Sequence, residues 1–367
     1  MQSSYYIFGA HSRGQTTSVY LKALYPERKF LGFLYANEEK NPDCIDGNPV
    51  IKLREGLEGL DLNAAVYIAT RGIYHNDISK GLEKCGFKEI IPVDMELDIE
   101  LRNRFIPDYF KKLGRDFTRL ESVIDMAENA EACNSFEGRD SVYVVRSAVD
   151  SPLSKDVPLR SFEKYIQAGS ALTDLKVGSC DLFDSTGDNI SDKNYQMCEL
   201  TAMYWIWKNI DKDIVGLEHY RRRFILPENW SAAFTEGGID VILPVPLYVH
   251  PSLTGNFCQR HVDKVWNAMF DSIKCLYPEQ YQEAKDFFDN TAAYSPCNIL
   301  IARKSAFDDM CAWLFPILFD VMDSVGHIDD TYQNRYPGFV SERLITFYFY
   351  MKRQELKVAY ADKTFLA

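Results

Sequence analysis

Short apolar runs alternate with amphipathic segments along most of this chain, and the alternation limits its fold more than any other feature. In the first 95 residues, four apolar runs are predicted strands, at 5–9, 30–35, 64–70 and 89–93. Helical spacing follows the first run as far as residue 24 and recurs over 77–85. Strands that alternate with helices indicate a parallel sheet. We therefore predict an α/β fold.

The same alternation recurs in the second half of the chain. Apolar runs predict strands at 141–145, 214–217, 239–243 and 298–302. Helical spacing predicts helices over 195–209, 263–269 and 278–288, and around residues 307–318. The chain is therefore predicted to divide into three parts: a small Rossmann-like α/β domain over 1–95, a helical linker over 96–140 and a second α/β domain over 141–367.

Composition excludes some functional classes. The formal net charge is −12, which disfavours the broad basic surface that nucleic-acid binding requires. The nine cysteines include no C-x-x-C pair, so we expect free thiols in a reducing compartment. We see neither a signal peptide nor an apolar run of the length that spans a bilayer. The prediction is a cytoplasmic protein, with peripheral association at the inner face of the membrane left open.

Gly9 and Gly14 flank the junction between the first strand and the first helix. A helix N-terminus after a glycine turn can hold a phosphate, but the spacing departs from the dinucleotide fingerprint. A tight turn without a ligand and a phosphate site both remain open. A phosphate site at this turn would favour an NAD-linked nucleotide-sugar reductase or epimerase, which is one alternative function for the chain.

The densest combination of polar and apolar residues lies in 188–224. It is predicted as a polar loop, an aromatic helix, a short strand and a charged strand end. Ligands of α/β sheets bind beyond the carboxyl ends of strands, and arginine forks suit a diphosphate. The predicted ligand-binding residues at this strand end are Glu218, His219, Arg221 and Arg222.

The polar loop before the aromatic helix supplies further candidates, since a helix N-terminus carries partial positive charge. The predicted ligand-binding residues of this loop are Asn189, Ser191, Lys193 and Asn194. Glu199 lies within the aromatic run, where a buried carboxylate needs a partner. It is predicted either to pair with an arginine for structural reasons or to orient a ligand or a cationic side chain at the site.

Several separated motifs of this chain resemble a bacterial glycosyltransferase family that was long a domain of unknown function and occurs in capsule and O-antigen clusters. The motifs are Asn189-Ile-Ser-Asp-Lys-Asn, Cys198-Glu-Leu-Thr, Tyr204-Trp-Ile-Trp-Lys-Asn, Gly216-Leu-Glu-His-Tyr-Arg-Arg and Gly338-Phe-Val-Ser-Glu-Arg-Leu. The resemblance covers about residues 141–360. It implies a GT-A-like fold, with β-galactofuranosyl transfer from UDP-galactofuranose in some members.

The resemblance also implies partners. The donor would be a UDP-sugar, bound by the ligand-binding residues of the polar loop and of the strand end together with Glu199. The acceptor would be an oligosaccharide or lipid-linked glycan of a growing capsular or O-antigen polysaccharide. His261 and Asp263 fall where the family has recurring polar positions and are expected to bind the acceptor. Residues 1–95 separately resemble Rossmann-like modules attached to polysaccharide-biosynthesis enzymes, through Leu31-Gly-Phe-Leu and Gly47-Asn-Pro-Val.

The chain departs from the family pattern at two places. Val144-Val-Arg-Ser stands where the family opens with a Thr-His-Lys type sequence. No Asp-x-Asp follows the strand 214–217, where a metal-dependent GT-A enzyme has one. Mn²⁺ or Mg²⁺ prefers oxygen ligands, and Glu218 alone supplies few. We predict no metal ligands, with arginines neutralising the diphosphate instead.

Inverting glycosyl transfer needs a carboxylate base beside the acceptor hydroxyl. Glu342 lies at a predicted loop-to-helix junction, where GT-A-like enzymes tend to place this acid, and it is the predicted base. Asp329 and Asp330 are the alternatives. A non-catalytic nucleotide-sugar-binding scaffold is a third functional reading, in which these residues would be structural.

Overall fold

The computed structural model describes residues 3–36, 38, 40–53, 57–126, 138–153 and 157–366. The chain forms two compact units. Unit 1 comprises Met1–Asp116 with Tyr248–Pro251, and unit 2 comprises Phe117–Leu247 with Ser252–Ala367. The predicted α/β fold is confirmed. No helix among the described residues is long and apolar enough to cross a membrane.

Unit 1 is built on one sheet. Its strands are β1 (Ser4–Phe8), β2 (Lys29–Tyr35), β3 (Cys44–Ile45), β4 (Asn48–Lys52), β5 (Ala65–Ile68) and β6 (Ile90–Pro92). Its helices are α1 (Ser12–Leu24), α2 (His75–Lys84) and α3 (Met95–Lys112). The strand order is β3-β4-β2-β1-β5-β6, and every pair except β3–β4 is parallel. The five parallel strands thus follow the 3-2-1-4-5 order of a doubly wound sheet.

The two glycines before and within α1 shape the turn between β1 and α1. Gly9 has φ +115°, which a side chain would strain, and a Cβ on Gly14 would collide with the carbonyl oxygen of Gly9. Close packing of the helix on the strand end therefore requires glycine at both positions. The packing alone therefore explains both glycines, and a bound phosphate is not needed to explain them.

Unit 2 contains the second sheet. Its strands are β7 (Asp140–Ser147), β8 (Glu163–Ala168), β9 (Leu182–Phe183), β10 (Ile214–His219), β11 (Val241–Pro244), β14 (Leu300–Arg303) and β15 (Val358–Ala361). Two further short strands of the chain are β12 (Leu247–Tyr248) and β13 (Ala293–Tyr294). The helices are α4 (Leu120–Met126), α5 (Asn194–Met197), α6 (Leu200–Asn209), α7 (Ala232–Thr235), α8 (Leu253–Arg260), α9 (Asp263–Leu276), α10 (Tyr281–Asn290), α11 (Lys304–Val325) and α12 (Tyr336–Met351).

The strand order in unit 2 creates a crevice. The order is β15-β11-β14-β10-β7-β8-β9, with β10, β7, β8 and β9 parallel and β14 antiparallel to its neighbours. From β7 the chain proceeds to β8 and β9 on one side, and later returns to β10 on the other side. This reversal is a topological switch point, where α/β proteins bind ligands beyond the carboxyl ends of the strands.

A core of aliphatic and aromatic side chains packs against one face of this sheet. Val142, Ile214, Ile301 and Phe234 are among its fully buried members. Gly216 lies in the middle of β10, and a Cβ there would press on Ile301 and Val142. The close packing fixes the strands whose ends carry the candidate site.

The structure differs from the sequence-based elements at several places. The helix predicted over 195–209 is interrupted: α5 ends at Met197, Cys198 adopts φ +49°, and α6 begins at Leu200. The strands that the sequence analysis missed are short or lack clear alternation: β3, β4, β8, β9, β12, β13 and β15. Of the predicted linker, α3 belongs to unit 1 and α4 to unit 2, while 127–137 lie outside the described residues.

Candidate functional site

A cavity of about 490 Å³ lies in unit 2 beyond the carboxyl ends of β7, β8 and β10. Its volume is within the usual range for small-molecule sites. Arg146 to Ser151 continue β7 into its wall, and Ala168 and Gly169 end β8 there. His219 and Tyr220 contribute the end of β10. The remaining wall includes Asn194, Tyr195, Cys198, Glu199 and Arg335.

A buried carboxylate, Asp184, orders the loops on the β8 side of the cavity. It accepts hydrogen bonds from the backbone N–H of Gly169 (2.9 Å) and Ser170 (3.0 Å), and from the hydroxyl groups of Ser191 and Thr201. Its side chain has no exposure to solvent. Sequence reasoning missed Asp184, because its partners come from three separate segments.

The predicted donor loop is therefore partly structural. The Ser191 hydroxyl donates to Asp184 and is fully buried. The Asn189 amide donates to the carbonyls of Ser185 (3.2 Å) and Gly187 (2.9 Å), within its own loop. Lys193 is exposed and does not line the cavity, whereas Asn194 does. Of the four predicted loop residues, the structure brings only Asn194 to the cavity wall.

The interruption between α5 and α6 places Glu199 at the cavity. The Asn194 amide donates to the Cys198 carbonyl (2.7 Å) and to the Thr201 hydroxyl (3.0 Å), which holds the reversed backbone in place. Asn298 Nδ2 donates to Glu199 Oε1 at 2.8 Å. The predicted arginine partner is therefore replaced by an amide. Among the described residues, no donor reaches Oε2 of Glu199, which leaves that oxygen available to a ligand.

Glu342 binds the residue that precedes Asn298. Its Oε1 accepts a hydrogen bond from the Cys297 N–H at 2.6 Å, and its Oε2 accepts one from Arg343 at 3.0 Å. Burial raises the pKa of the Glu342 carboxyl above its ordinary value, and the positive charge of Arg343 opposes this rise. Glu342 does not line the cavity. It is linked to Glu199 through two adjacent residues, because Glu342 binds the N–H of Cys297 and Glu199 binds the side chain of Asn298.

Backbone strain is concentrated around these two carboxylates. In the described part of the chain, four non-glycine residues have positive φ, and three of them are Cys198 (+49°), Cys297 (+79°) and Asn298 (+52°). Such conformations cost about 1–3 kcal/mol each and persist only where the surroundings enforce them. Their convergence on Glu199 and Glu342 is typical of a functional site.

The end of β10 sends its side chains in two directions. His219 faces the cavity, while Glu218 is fully buried on the opposite side. Both Glu218 oxygens accept from Arg160 at 3.0 Å, and its Oε1 also accepts from the Phe224 N–H at 2.7 Å. Glu218 is therefore placed in a structural network and not at the predicted donor contact, because residues alternate across a strand.

That network contains a second acid and a second arginine. Glu163 accepts hydrogen bonds from Arg160 and Arg223, and Arg223 also donates to the carbonyls of Val157 (3.2 Å) and Pro158 (3.0 Å). Burial raises the pKa of Glu218 to about 8, Arg160 opposes the rise, and the neighbouring Glu163 adds to it. The network, Arg160–Glu163–Glu218–Arg223, ties the segment before β8 to the turn after β10.

Cations gather at the β7 and β10 ends of the cavity. Arg146 and Arg335 line it, and Arg221 lies beside Ser151, another wall residue. The Nε–H groups of Arg146 and Arg221 are buried and have no hydrogen-bond partner among the described residues. A bound anion would supply the acceptor that such donors lack. Arg222, predicted beside Arg221, stacks on Phe365 at 5.1 Å and does not line the cavity.

Asp150 and His219 complete the charged lining. Asp150 accepts from the Ser147 N–H at 2.7 Å; burial raises its pKa, while Arg146, Arg221 and Arg335 oppose the rise. Burial lowers the pKa of His219 to about 4, so its imidazole is neutral near pH 7. Sequence reasoning missed Asp150 and Arg335, since neither lies in a run of conspicuous residues.

The remaining predicted residues lie away from the cavity wall. The His261 ring is stacked on Phe339, and burial lowers the pKa of His261 to about 4. Asp263 is exposed at the start of α9. Asp329 is fully exposed, and Asp330 accepts from the Gln333 N–H at 2.8 Å. Among the described residues, no group of three or more His, Cys, Asp or Glu side chains converges as metal ligands.

Comparison with known proteins bears on what this arrangement does. A search of curated proteins finds no match. Among solved structures, the chain is similar to an apo structure of the WbbM bifunctional glycosyltransferase, with 27% sequence identity and a TM-score of 0.54. The similarity covers 62% of this chain and 45% of that one, so the chain spans less than half the length of its structural relative. The expected glycosyltransferase-like character is thus supported at the level of the fold.

Residues 154–354 match a family described as a domain of unknown function, DUF4422. The matched residues lie within the part of the chain that belongs to unit 2, apart from Tyr248–Pro251, and they include β8, β10 and α12. The match spans more than half of the chain. The chain therefore belongs to the DUF4422 family.

Proposed function

We propose that this protein is a glycosyltransferase that moves a hexosyl group from a UDP-sugar to a glycan. The observation that carries the proposal is the cavity at the switch point of unit 2, where Arg146 and Arg335 contribute guanidinium donors and Arg221 lies beside the wall residue Ser151. A diphosphate supplies acceptors and negative charge for such donors. Similarity to the WbbM bifunctional glycosyltransferase supports the same reaction class.

The finer assignments follow the sequence resemblance. The proposed donor is a UDP-sugar, with galactofuranose as the first sugar to test. The proposed acceptor is an oligosaccharide or lipid-linked glycan of a growing capsular or O-antigen polysaccharide. We place the reaction in the cytoplasm at the inner face of the membrane, where a lipid-linked acceptor would be presented, with peripheral association of the protein.

In this proposal the diphosphate binds at the arginines and not at a metal ion. Arg146, Arg221 and Arg335 surround Asp150, and Arg222 adds positive charge from outside the wall. Asn194, Glu199 and His219, which also line the cavity, then contact the rest of the donor. The neutral imidazole of His219 accepts a hydrogen bond from the Arg221 N–H at Nδ1 (3.3 Å), so its Nε2–H can donate to a sugar hydroxyl.

The proposed chemistry is inverting transfer with Glu342 as base. A carboxyl whose pKa is raised by burial accepts a proton from a hydroxyl more readily than an ordinary carboxylate does. Loss of that proton lets the acceptor oxygen attack the anomeric carbon, and the nucleoside diphosphate leaves toward the arginines. Asp329 and Asp330 are the alternative bases, but both are exposed to solvent and neither lines the cavity.

The direct test is incubation of the protein with a panel of UDP-sugars, followed by NMR of the anomeric signals. Slow hydrolysis of at least one donor is expected, because glycosyltransferases pass sugar to water when acceptor is absent. A redox change of added NAD with no donor cleavage would instead support the reductase or epimerase alternative. Binding of a UDP-sugar without any cleavage, even with acceptor glycans present, would support a scaffold.

Arg221→Ala is expected to weaken UDP binding by about 10- to 100-fold, because a charge-assisted hydrogen bond contributes roughly 1.5–3 kcal/mol. Calorimetry with UDP in buffer containing EDTA measures this and tests metal independence together. Arg353→Ala removes an arginine that is 43% exposed just after the end of α12 and serves as the control. Unchanged affinity in Arg221→Ala, or loss of wild-type binding in EDTA that Mn²⁺ restores, would contradict the arginine-based site.

A further inference from the structure

We propose that Asn298 is a positioning residue, which holds Glu199 so that this carboxylate accepts a hydrogen bond from a hydroxyl group of the donor sugar. The proposal rests on the glycosyltransferase function proposed above. Asn298 is 3% exposed, and its Nδ2 donates to Glu199 Oε1 at 2.8 Å. Glu199 lines the cavity, whereas Asn298 does not. Asn298 therefore acts on the donor through Glu199 and has no contact with the donor itself.

Hydrogen bonds fix the orientation of the Asn298 amide. Its Nδ2 group faces two acceptors, Glu199 Oε1 and the Gly338 carbonyl at 3.1 Å. Its Oδ1 accepts a hydrogen bond from the Ser341 hydroxyl at 2.8 Å. A reversed amide would place its oxygen, which cannot donate, against both acceptors. The amide consequently has one arrangement, in which an N–H donor points at Glu199.

The backbone at Asn298 supports both carboxylates of the site. Asn298 has φ +52°, and Cys297 before it has φ +79°. Asparagine is one of the few residues other than glycine that adopt positive φ readily. In this conformation the Cys297 N–H donates to Glu342 at 2.6 Å while the Asn298 side chain donates to Glu199. The two adjacent residues thus hold the proposed base and the proposed donor contact at once.

Glu199 lies between the donor cavity and the proposed base. Burial lowers the pKa of His219 in the cavity wall, and the negative charge of Glu199 opposes this effect. Burial raises the pKa of Glu342, and the charge of Glu199 adds to the rise. The base must lie near the anomeric carbon, because it activates the hydroxyl that attacks there. The part of the donor nearest Glu199 is therefore the sugar and not the nucleoside.

A hydroxyl group suits Glu199 better than a phosphate does. No donor within the described part of the chain reaches its Oε2 atom, while Oε1 is held by Asn298. A carboxylate accepts hydrogen bonds but donates none, and its charge repels that of a diphosphate. A sugar hydroxyl is an uncharged donor. The expected contact thus runs from one hydroxyl group of the donor sugar to Glu199 Oε2.

Calorimetry with UDP, UDP-glucose, UDP-galactopyranose and UDP-galactofuranose tests the role of Asn298. Asn298→Gly tolerates the positive φ and removes the amide. It is expected to weaken binding of the UDP-sugar that the wild type prefers by about 10-fold, in line with a hydrogen bond to a charged group. Affinity for UDP should stay unchanged, since UDP lacks the sugar. Asn290→Gly makes the same substitution at an exposed residue of α10 and is the matched control.

Asn298→Asp is a second variant, which keeps the size of the side chain and its tolerance of positive φ. Its carboxylate would repel Glu199 instead of donating to it, so it should weaken binding of the same UDP-sugar at least as much as Asn298→Gly does. In both variants the KM for the donor should rise while kcat at saturating donor stays close to that of the wild type. The reason is that the Cys297 N–H can still bind Glu342.

The outcomes separate this inference from the proposed function. Weaker binding of the UDP-sugar with unchanged binding of UDP, in either Asn298 variant, supports the positioning role. Equal losses for UDP and the UDP-sugar, or wild-type affinity for the UDP-sugar in both variants, overturn it. A wild type that binds UDP but none of the three UDP-sugars also overturns it. A wild type that binds neither UDP nor any UDP-sugar would refute the proposed function itself.

Discussion

Glu342→Gln is expected to lower kcat by about 10²- to 10⁴-fold, the usual contribution of a general base, while UDP affinity stays close to that of the wild type. Glutamine has the same shape, and its carbonyl oxygen can still accept from the Cys297 N–H. It cannot take a proton from the acceptor hydroxyl. Turnover of a UDP-sugar with a glycan acceptor, together with UDP calorimetry, measures both effects.

Two further variants sharpen the assignment. Glu355→Gln changes a carboxylate that is 65% exposed near the end of α12, and it should leave kcat unchanged. Glu199→Gln should raise the KM for the donor, since Glu199 lines the cavity. If Glu199→Gln abolished kcat and Glu342→Gln retained it, the base would be Glu199. Normal turnover in Glu342→Gln alone would already remove Glu342 from that role.

The pH dependence of the wild type supports the same test. Burial raises the pKa of Glu342, and only its ionised form accepts a proton. Activity is therefore expected to fall as pH decreases through this raised pKa. The acidic limb of the kcat/KM profile should be lost in the residual activity of Glu342→Gln.

Arg223→Ala is expected to destabilise the protein by about 3–5 kcal/mol, because the buried carboxylate of Glu163 loses one of its two arginine partners. Arg223 is 5% exposed, and both Glu163 and Glu218 lie beside it without solvent contact of their side chains. Urea denaturation followed by fluorescence measures the loss. Arg139→Ala breaks an exposed ion pair with Asp213 and should cost less than about 1 kcal/mol. Equal stability of the two variants would contradict the importance of the buried network.

Glu218→Gln, in contrast to Arg223→Ala, is not expected to destabilise the protein at neutral pH. Because the pKa of Glu218 is raised to about 8, the folded protein holds its proton more tightly than the unfolded chain does. This contribution to stability is fully present at low pH and is lost as pH rises from the ordinary carboxyl pKa toward about 8. Glutamine resembles the protonated acid. Thermal unfolding between these limits should therefore depend less on pH in Glu218→Gln than in the wild type.

The network also explains how residues away from the cavity act on it. Arg160 and Arg223 bind Glu218 and Glu163 and reach backbone carbonyls of 157, 158 and 224. These hydrogen bonds fix the backbone on both sides of the turn from His219 to Arg222. We expect the arginine side chains of this turn to keep one arrangement because the backbone that carries them is fixed by buried, charge-assisted hydrogen bonds.

The sequence by itself determined the α/β class and the stretch of chain that forms the end of β10. Both depend on local periodicity, since apolar runs of strand length and helical spacing are visible within a few residues. The placement of His219 and Glu218 on opposite faces also follows from alternation along a strand. The glycosyltransferase resemblance rested on motifs in the same order along the chain.

Only the tertiary structure decided which polar residues share the cavity. The interruption at Cys198 depends on side-chain bonds from Asn194 and on Asn298, which is 99 residues from Glu199. Asp150, Asp184 and Arg335 gain their roles from partners that no local pattern links to them. Ser191, Asn189 and Glu218 were predicted to bind a ligand because they are polar. In the structure they form hydrogen bonds within the protein instead. A buried polar group forms hydrogen bonds with whichever partner the fold brings near it. The local periodicity of the sequence does not predict that partner.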